Sequence, residues 1–354
     1  MSAAQDVGSV AGSVGRVRGA RALPPGAVRI PSPRARAIER AVLLVITVVP
    51  AIGAVVGVWL LVSGRLGAAQ HAIFAGMYLF TGFGITLGYH RLLAHRAFRT
   101  GRVLRGVLAV AGAMAIQGPV MRWVADHRRH HGWTDREGDP HSPHVVQRAA
   151  GGGAESALQP DAGSQRDVCV QRDAGAPPAR STARGLWHAH IGWFFAEEKT
   201  AVRRFAADLV RDLIIVAIDR LYPLWMLLSL AIPTALGLAI EGPTGAWQAL
   251  AWGGLTRVFV VQHVTWSINS IGHSFGPRPF STDDASRNCW LLGWLALGEG
   301  WHNNHHAFPR AAVHGFRRHE IDPSGVVLRA LERAGLAWDL RRPPAAAAST
   351  GKKG

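Results

Sequence analysis

The chain has 354 residues, 48% hydrophobic and only 18% charged, with a formal charge of +16, and its mean hydropathy of +0.11 argues against a plain soluble globule. Two cysteines, Cys169 and Cys289, exclude a disulfide framework, a thiolate zinc site and an iron–sulfur cluster. The positive charge lies in the polar ends and beside apolar runs, so it reads as membrane-orienting charge and gives no reason to expect a nucleic acid partner.

Residues 1–40 read as a basic, disordered arm rich in Gly, Ala and Pro. Its apolar content is too low for a signal peptide. Ala41 to Gly64 follows as 24 residues without a charge, about 36 Å as helix and enough for the roughly 30 Å hydrocarbon layer. Leu66 to Tyr89 is a second such run, and Arg65 alone is charged at the turn between them. Gly106 to Met121 has 16 residues, crowded by Arg102, Arg105 and Arg122, and is too short to cross. It is expected to be an interfacial or buried helix. Leu221 to Ile240 and Gly242 to Trp266 form a second pair around Glu241, with Arg257 expected to snorkel or to stand outside the bilayer. Between the pairs, 145–184 reads as a low-complexity linker or insertion, and the tail from Pro343 to Gly354 is similar. The expectation is an all-α integral membrane protein with four transmembrane helices in two hairpins. The units are 1–40, the first hairpin with its histidines over 41–144, the linker, amphipathic cap helices and the second hairpin over 185–320, and a C-terminal segment over 321–354. Seven arginines in the arm against nearly uncharged hairpin tips put both termini on the cytoplasmic side.

Seventeen histidines against three tyrosines is the anomaly of the composition. Nine fall in four places: Gly88-Tyr89-His90-Arg91-Leu92-Leu93-Ala94-His95, Asp126-His127-Arg128-Arg129-His130-His131, His273, and Glu299-Gly300-Trp301-His302-Asn303-Asn304-His305-His306. On a helix, positions i, i+3 and i+4 share a face, so each triplet aims its imidazoles to one side. Nine imidazoles exceed one metal's needs and fit two. A single triplet is readily a solvated basic turn, but two with the same spacing and a further pair, each beside an apolar run on one predicted side, are not. His71 and His263 stand alone and read as interfacial or core residues. The groups can meet only if an even number of spans separates them, which requires that the 16-residue run not cross. Asp126, Asp135, Asp139 and Glu299 are candidates to orient the rings. His141, His144, His188 and His190 lie off the register of the boxes, and His190 is assigned to a substrate entrance.

These motifs, with Thr134-Asp135, Asp139-Pro140-His141 and Thr265-Trp266-Ser267-Ile268-Asn269-Ser270, resemble the membrane fatty acid desaturases, specifically the acyl-CoA Δ9 (stearoyl-CoA) type, over roughly residues 40–320. The resemblance implies a cytosolic di-iron centre held by His90, His95, His127, His130, His131, His273, His302, His305 and His306, with Asn269 acting through a water and no catalytic residue beyond the ligands. It implies dioxygen as co-substrate and removal of two hydrogens from a saturated acyl chain to leave a cis double bond. Gln117, Trp123 and Thr265 match residues at the bend of the substrate tunnel, and Trp266 lies near the carrier end. Glu197 and Glu198 stand where animal acyl-CoA enzymes of the family carry a basic pair, and acidic residues there repel a CoA headgroup; acyl-CoA is the first expectation for the carrier by the resemblance, with an acyl lipid or another thioester behind it.

Electrons are expected from a separate reductase, ferredoxin-like protein or cytochrome, because residues 307–354 are too few for a fused cytochrome domain. The lipid bilayer, as a bacterial plasma membrane, is the expected location, with the active site cytoplasmic. A histidine-box hydroxylase acting on a fatty acid, alkane or sterol is the alternative, since it would share the metal site and insert oxygen instead. A metal transporter would need ligands near the bilayer midplane, whereas these lie at helix exits.

Overall fold

The computed structural model describes residues 23, 26–29, 32–145, 182–344 and 347. Most of the expected linker, most of the basic arm and most of the tail therefore lie outside the described residues. Within the arm, β1 (Ala27–Arg29) is paired, and helix α1 runs over Pro33–Val62. That start precedes the charge-free run by eight residues because Ser32 caps the helix, its Oγ accepting from Ala35 N, and Pro33 presets the first turn.

After a turn at Gly64, α2 (Ala68–Phe83) continues unbroken into a π-helical segment, Gly84–Ala94. Strand β2 (Arg99–Thr100) leads to α3 (Arg102–Ala113), whose 12 residues rise about 18 Å, far short of a bilayer. Helix α4 (Val120–Trp133) follows, then α5 (Ala183–His190), β3 (Glu198–Thr200) and α6 (Leu213–Arg220). Helix α7 (Tyr222–Ala249) passes through a second π-helical segment, Leu250–Thr256, into α8 (Arg257–Ser270). The short helices α9 (Trp290–Leu295) and α10 (His302–Ala307), then α11 (Pro323–Arg333) and β4 (Ala337–Trp338), complete the chain. The strands form two small antiparallel pairs, β1 with β3 and β2 with β4.

Among the described residues three helical stretches are long and apolar enough to cross a membrane: Pro33–Val62, Ala68–Ala94 and Tyr222–Ser270. The third, expected as two helices, is one 49-residue stretch broken at Glu241 and Gly242, whose backbone is non-helical. Gly242 has φ 66, a conformation glycine reaches without a Cβ clash. The chain reverses there, and the two arms close on each other. A Cβ on Gly237 would stand 2.3 Å from Gly245 O. The start of α2 and the break at Glu241 and Gly242, the tips of the bundle, meet at one end of it, where Gln70 Nε2 donates to Glu241 Oε2.

Arg257 neither snorkels nor projects. It is wholly buried, donating to Gly253 O, to Met114 O and to Ser229 O and Oγ at 2.8–3.3 Å. Four carbonyl and hydroxyl acceptors thus replace the water an interfacial arginine would have kept. At the opposite end of the bundle from the tips, α3, α4, α6 and the π-helical segment enclose a core of Leu87, Tyr89, Val120, Val124 and Ile215.

Candidate metal centre

The histidines reach one place by three local routes. In the π-helical segment hydrogen bonds run from i+5 to i, and His95 N donates to His90 O. The widened turn stacks residues five apart, leaving the His90 and His95 rings 4.8 Å between centroids. Helix α4 carries His127 and His130 with His131, and α10 carries His302, His305 and His306. His273 follows α8 in a turn whose backbone bond Ser274 N to Ile271 O continues the helix direction.

The nine rings sort into two groups, each with its ligand atoms within 4.8 Å of one another: His90, His95, His127, His131 and His305, and His130, His273, His302 and His306. In the first, His95 and His127 face each other through Nε2 at 2.7 Å, His131 and His305 at 3.0 Å, and His90 and His305 at 3.2 Å. In the second, Nε2 of His302 lies 3.0 Å from that of His273 and 3.1 Å from that of His306.

Carboxylates stand behind the rings. Nδ1 of His130 faces Asp139 Oδ2 at 2.9 Å, that of His273 faces Asp135 Oδ2 at 2.9 Å, that of His306 faces Asp284 Oδ2 at 2.7 Å, and that of His90 lies 2.7 Å from Glu299 Oε2. A carboxylate only accepts, so a neutral ring places its proton on Nδ1 and its lone pair on Nε2. Facing lone pairs at about 3 Å repel unless a cation lies among them, and nitrogens bound side by side on one metal stand roughly 3 Å apart. The residues therefore fit a pair of metal ions, with the carboxylates fixing ring orientation.

The electrostatics agree with this. Burial, then the neighbouring rings, holds His95, His127, His130, His131, His302 and His305 well below the ordinary imidazole value, so they stay neutral donors. Burial also opposes charge on His273, but Asp135 outweighs it and raises that ring. Burial would push Asp284 and Glu299 up, yet the rings facing them hold both well below the carboxylate range. Asp139 goes the other way, raised by burial.

An apolar cleft opens on this centre. Ile85, Val261, Val264 and Ile268 form its walls, His90, His127, His130 and His302 its metal-side end, and Trp123, Thr265 and Asn269 line it too. Gln117 stands behind Thr265, donating to Thr265 Oγ1 at 2.8 Å and Val261 O at 3.2 Å. Trp266 is not in the cleft wall. It packs with His263 and Phe194 at 5.0 and 5.3 Å between centroids, in a cluster where His190 Nε2 and His263 Nδ1 are 3.0 Å apart.

The sequence model of the fatty acid desaturase family matches residues 68–323. The chain belongs to that family. A hex-5-enoyl-[acyl-carrier protein] acetylenase of Moorena producens is 38% identical over 303 residues, 85% of this chain and 86% of its own. An sn-1 stearoyl-lipid 9-desaturase of Synechocystis is 33% identical over 271 residues, 76% of this chain and 70% of its own. An acyl-CoA C20 Delta5-desaturase of Anemone leveillei is 32% identical over 265 residues, covering 74% and 70%. These relatives share an acyl substrate and differ in its carrier and in position. The desaturase described here is thus a membrane oxidoreductase of fatty acyl chains, in lipid metabolism, with histidine clusters suited to metal.

Of the four carboxylates singled out in the sequence, Asp135, Asp139 and Glu299 stand behind rings, whereas Asp126 pairs with Arg122 one turn away, at 3.0 Å. Asp284 carried no signal, because it is 22 residues from the ring it faces, His306. His314 was likewise hidden outside every box, yet it is wholly buried, with Nδ1 3.2 Å from Glu299 Oε2. His141, expected outside the site, packs on His130 at 4.4 Å between centroids, and His144 Nε2 donates to His273 O.

Proposed function

We propose that this desaturase introduces a cis double bond at the Δ9 position of a saturated acyl chain presented as its CoA thioester, at a cytoplasmic di-iron centre. The observation that carries the reading is the meeting of two imidazole groups at the end of one apolar cleft. His90, His95, His127, His131 and His305 would hold one iron, and His130, His273, His302 and His306 the other, with Asn269 acting through a water. An unactivated methylene has no acidic proton, so the iron pair, when bound, supplies the redox chemistry with dioxygen that acid–base groups cannot. Two hydrogens leave the chain, two electrons come from a separate reductase, ferredoxin-like protein or cytochrome with two protons, and dioxygen ends as two waters.

The rest is the work of the protein. The walls of the cleft exclude water and hold the reacting methylenes at the metal-side end, a proximity effect. Gln117 and Thr265, joined by their hydrogen bond beside Trp123, set the bend, and Trp266 lies toward the carrier end. For the carrier, Glu197 is paired with Arg36 at 3.3 Å and Arg40 at 3.7 Å. Glu39 is likewise paired with Lys199 at 3.2 Å, so Glu39 and Glu197 are each met by a cation and neither stands free to repel a polyphosphate headgroup. In the membrane, α1, α2 with its π-helical extension, and each arm of the 222–270 hairpin make four spans, with both termini and the metal centre on the cytoplasmic face of a bacterial plasma membrane.

The test is purified protein with electron donors, given stearoyl-CoA, stearoyl-acyl carrier protein or stearoyl lipid, with products resolved by mass spectrometry. The expected product is the Δ9 olefin from the CoA thioester. A hydroxylated product without olefin would overturn the reaction, and conversion of only the other carriers would overturn the carrier. His131→Ala and His305→Ala are expected to lose iron and product together.

A further inference from the structure

The link between α3 and α4 is strained and heavily braced. Ile116 has φ 56, a left-handed conformation that a β-branched residue adopts only when its surroundings force it. Its neighbour Gly118 has φ 111, with its N donating to Tyr222 Oη at 2.9 Å. Helix α8 supplies the brace. Gln262 Nε2 donates to Ile116 O at 3.0 Å and to Ile46 O of α1 at 3.1 Å, and one turn earlier Arg257 reaches Met114 O. Between these two anchored carbonyls and Gly118 sits Gln117, whose amide grips Thr265 from behind the cleft wall.

We infer that Gln262 is a positioning residue for regioselectivity: by holding the strained Ile116 peptide it fixes where Gln117 and Thr265 bend the acyl chain, and so which carbons reach the metal-side end. Gln262 does not line the cleft, so it acts on the cleft indirectly, and the Ile116→Gly rescue below separates the link from its second bond, to Ile46 O. The inference rests on the reading of Gln117 and Thr265 as the bend. Losing the brace lets Ile116 relax toward an ordinary backbone, which carries Gln117 with it and lets the chain slide by a carbon or two.

The experiment compares wild type, Gln262→Leu and the double variant Gln262→Leu/Ile116→Gly in purified form. It reads iron content, double-bond position in the product, and backbone hydrogen exchange over 114–119. Q262L is expected to keep its iron, to exchange faster over 114–119, and to raise the proportion of product desaturated at neighbouring positions about tenfold, within what release of one strained residue allows. Glycine tolerates the left-handed conformation without a brace, so the double variant is expected to return toward the wild-type pattern. A folded Q262L with the wild-type product pattern and exchange overturns the inference, as does failure of the glycine to rescue. If Q262L does not fold, Q262N, whose amide falls one methylene short of Ile116 O, is held to the same outcomes. Gln117→Met separates the two claims. If it leaves the double bond in place, the bend reading has failed, whatever Q262L does.

Discussion

Asp135→Asn tests the ring-orienting carboxylates with the least disturbance to shape. Asp135 Oδ2 receives His273 Nδ1 at 2.9 Å and Ala285 N at 2.8 Å, and Oδ1 receives Ser142 Oγ at 2.6 Å. Burial alone would push this carboxyl up, but His273 and the hydrogen bonds override it and hold it well below the ordinary range, so it is an anion at any working pH. Its φ of 57 is one asparagine also adopts, so the backbone is undisturbed. The substitution turns charge-assisted bonds into neutral ones, a loss of about 1–1.5 kcal/mol for the bond to His273 and less for the others. Together they come to about 1.4–2.7 kcal/mol, which matches the 10–100-fold loss of metal affinity typical when such a partner is removed. Only the group of His130, His273, His302 and His306 contains the affected ring. Protein dialysed against a graded chelator should therefore retain about one iron per chain where wild type retains two, with unfolding shifted by no more than the bonds lost. Retention of two irons at the wild-type chelator concentration would refute the role of Asp135. Loss of both in one step would refute the division into two groups.

Three further outcomes follow from other parts of the structure. Asp322→Asn removes the bidentate partner of the wholly buried Arg91, leaving Glu299 as its remaining carboxylate; it should cost about 3 kcal/mol, read as a lower unfolding midpoint in detergent, because a buried charge loses most of its compensation. Asp208 is raised by burial but pulled down to about 2 by Arg128 and Arg96. Its folded value lies below its unfolded value of about 3.9, so its contribution is fully present above that pH and is lost as pH falls through about 2. Asp208→Asn should thus lower the thermal midpoint at pH 7, and the gap to wild type should close as pH is taken down through that window. Gly84→Ala places a methyl 2.2 Å from Gly112 N, where the π-helical segment meets α3. With backbone on the other side it should destabilise by about 1–3 kcal/mol and reduce iron content, since His90 lies on the same segment.

Much of the architecture was legible because its signals are long. Runs of 20 or more uncharged residues leave few alternatives to membrane helices, and a 16-residue run hemmed by arginines leaves little room for a crossing. What escaped the sequence was set by contacts between distant segments. Arg257 looked misplaced in an apolar helix because its acceptors, Met114 and Ser229, lie 143 and 28 residues away. By charge alone the first eight residues of α1 belong with the arm, whereas the Ser32-Pro33 pair marks the start of the helix. Trp266, His190 and His263 stand together in one cluster, a contact between α5 and α8 that spacing along the sequence does not announce.

The triplets show how near the division of the site was to being readable. At about 100° per residue, i and i+4 lie about 40° apart on a helix while i+3 lies about 60° away on the other side. His127 and His131 accordingly join one group and His130 the other, and in the second triplet His302 and His306 stay together while His305 departs. Each triplet obeys one rule, with the i, i+4 pair kept and the i+3 ring given away. Because the two helices give in opposite directions, neither group is built from one helix and neither can form until α4 and α10 are docked. The π-helical segment completes the first group by aligning His90 with His95, which an α-helix would set about 140° apart. Three rings on one side of a helix still span about 100° between i+3 and i+4, and that angle is what sorts each triplet into two groups.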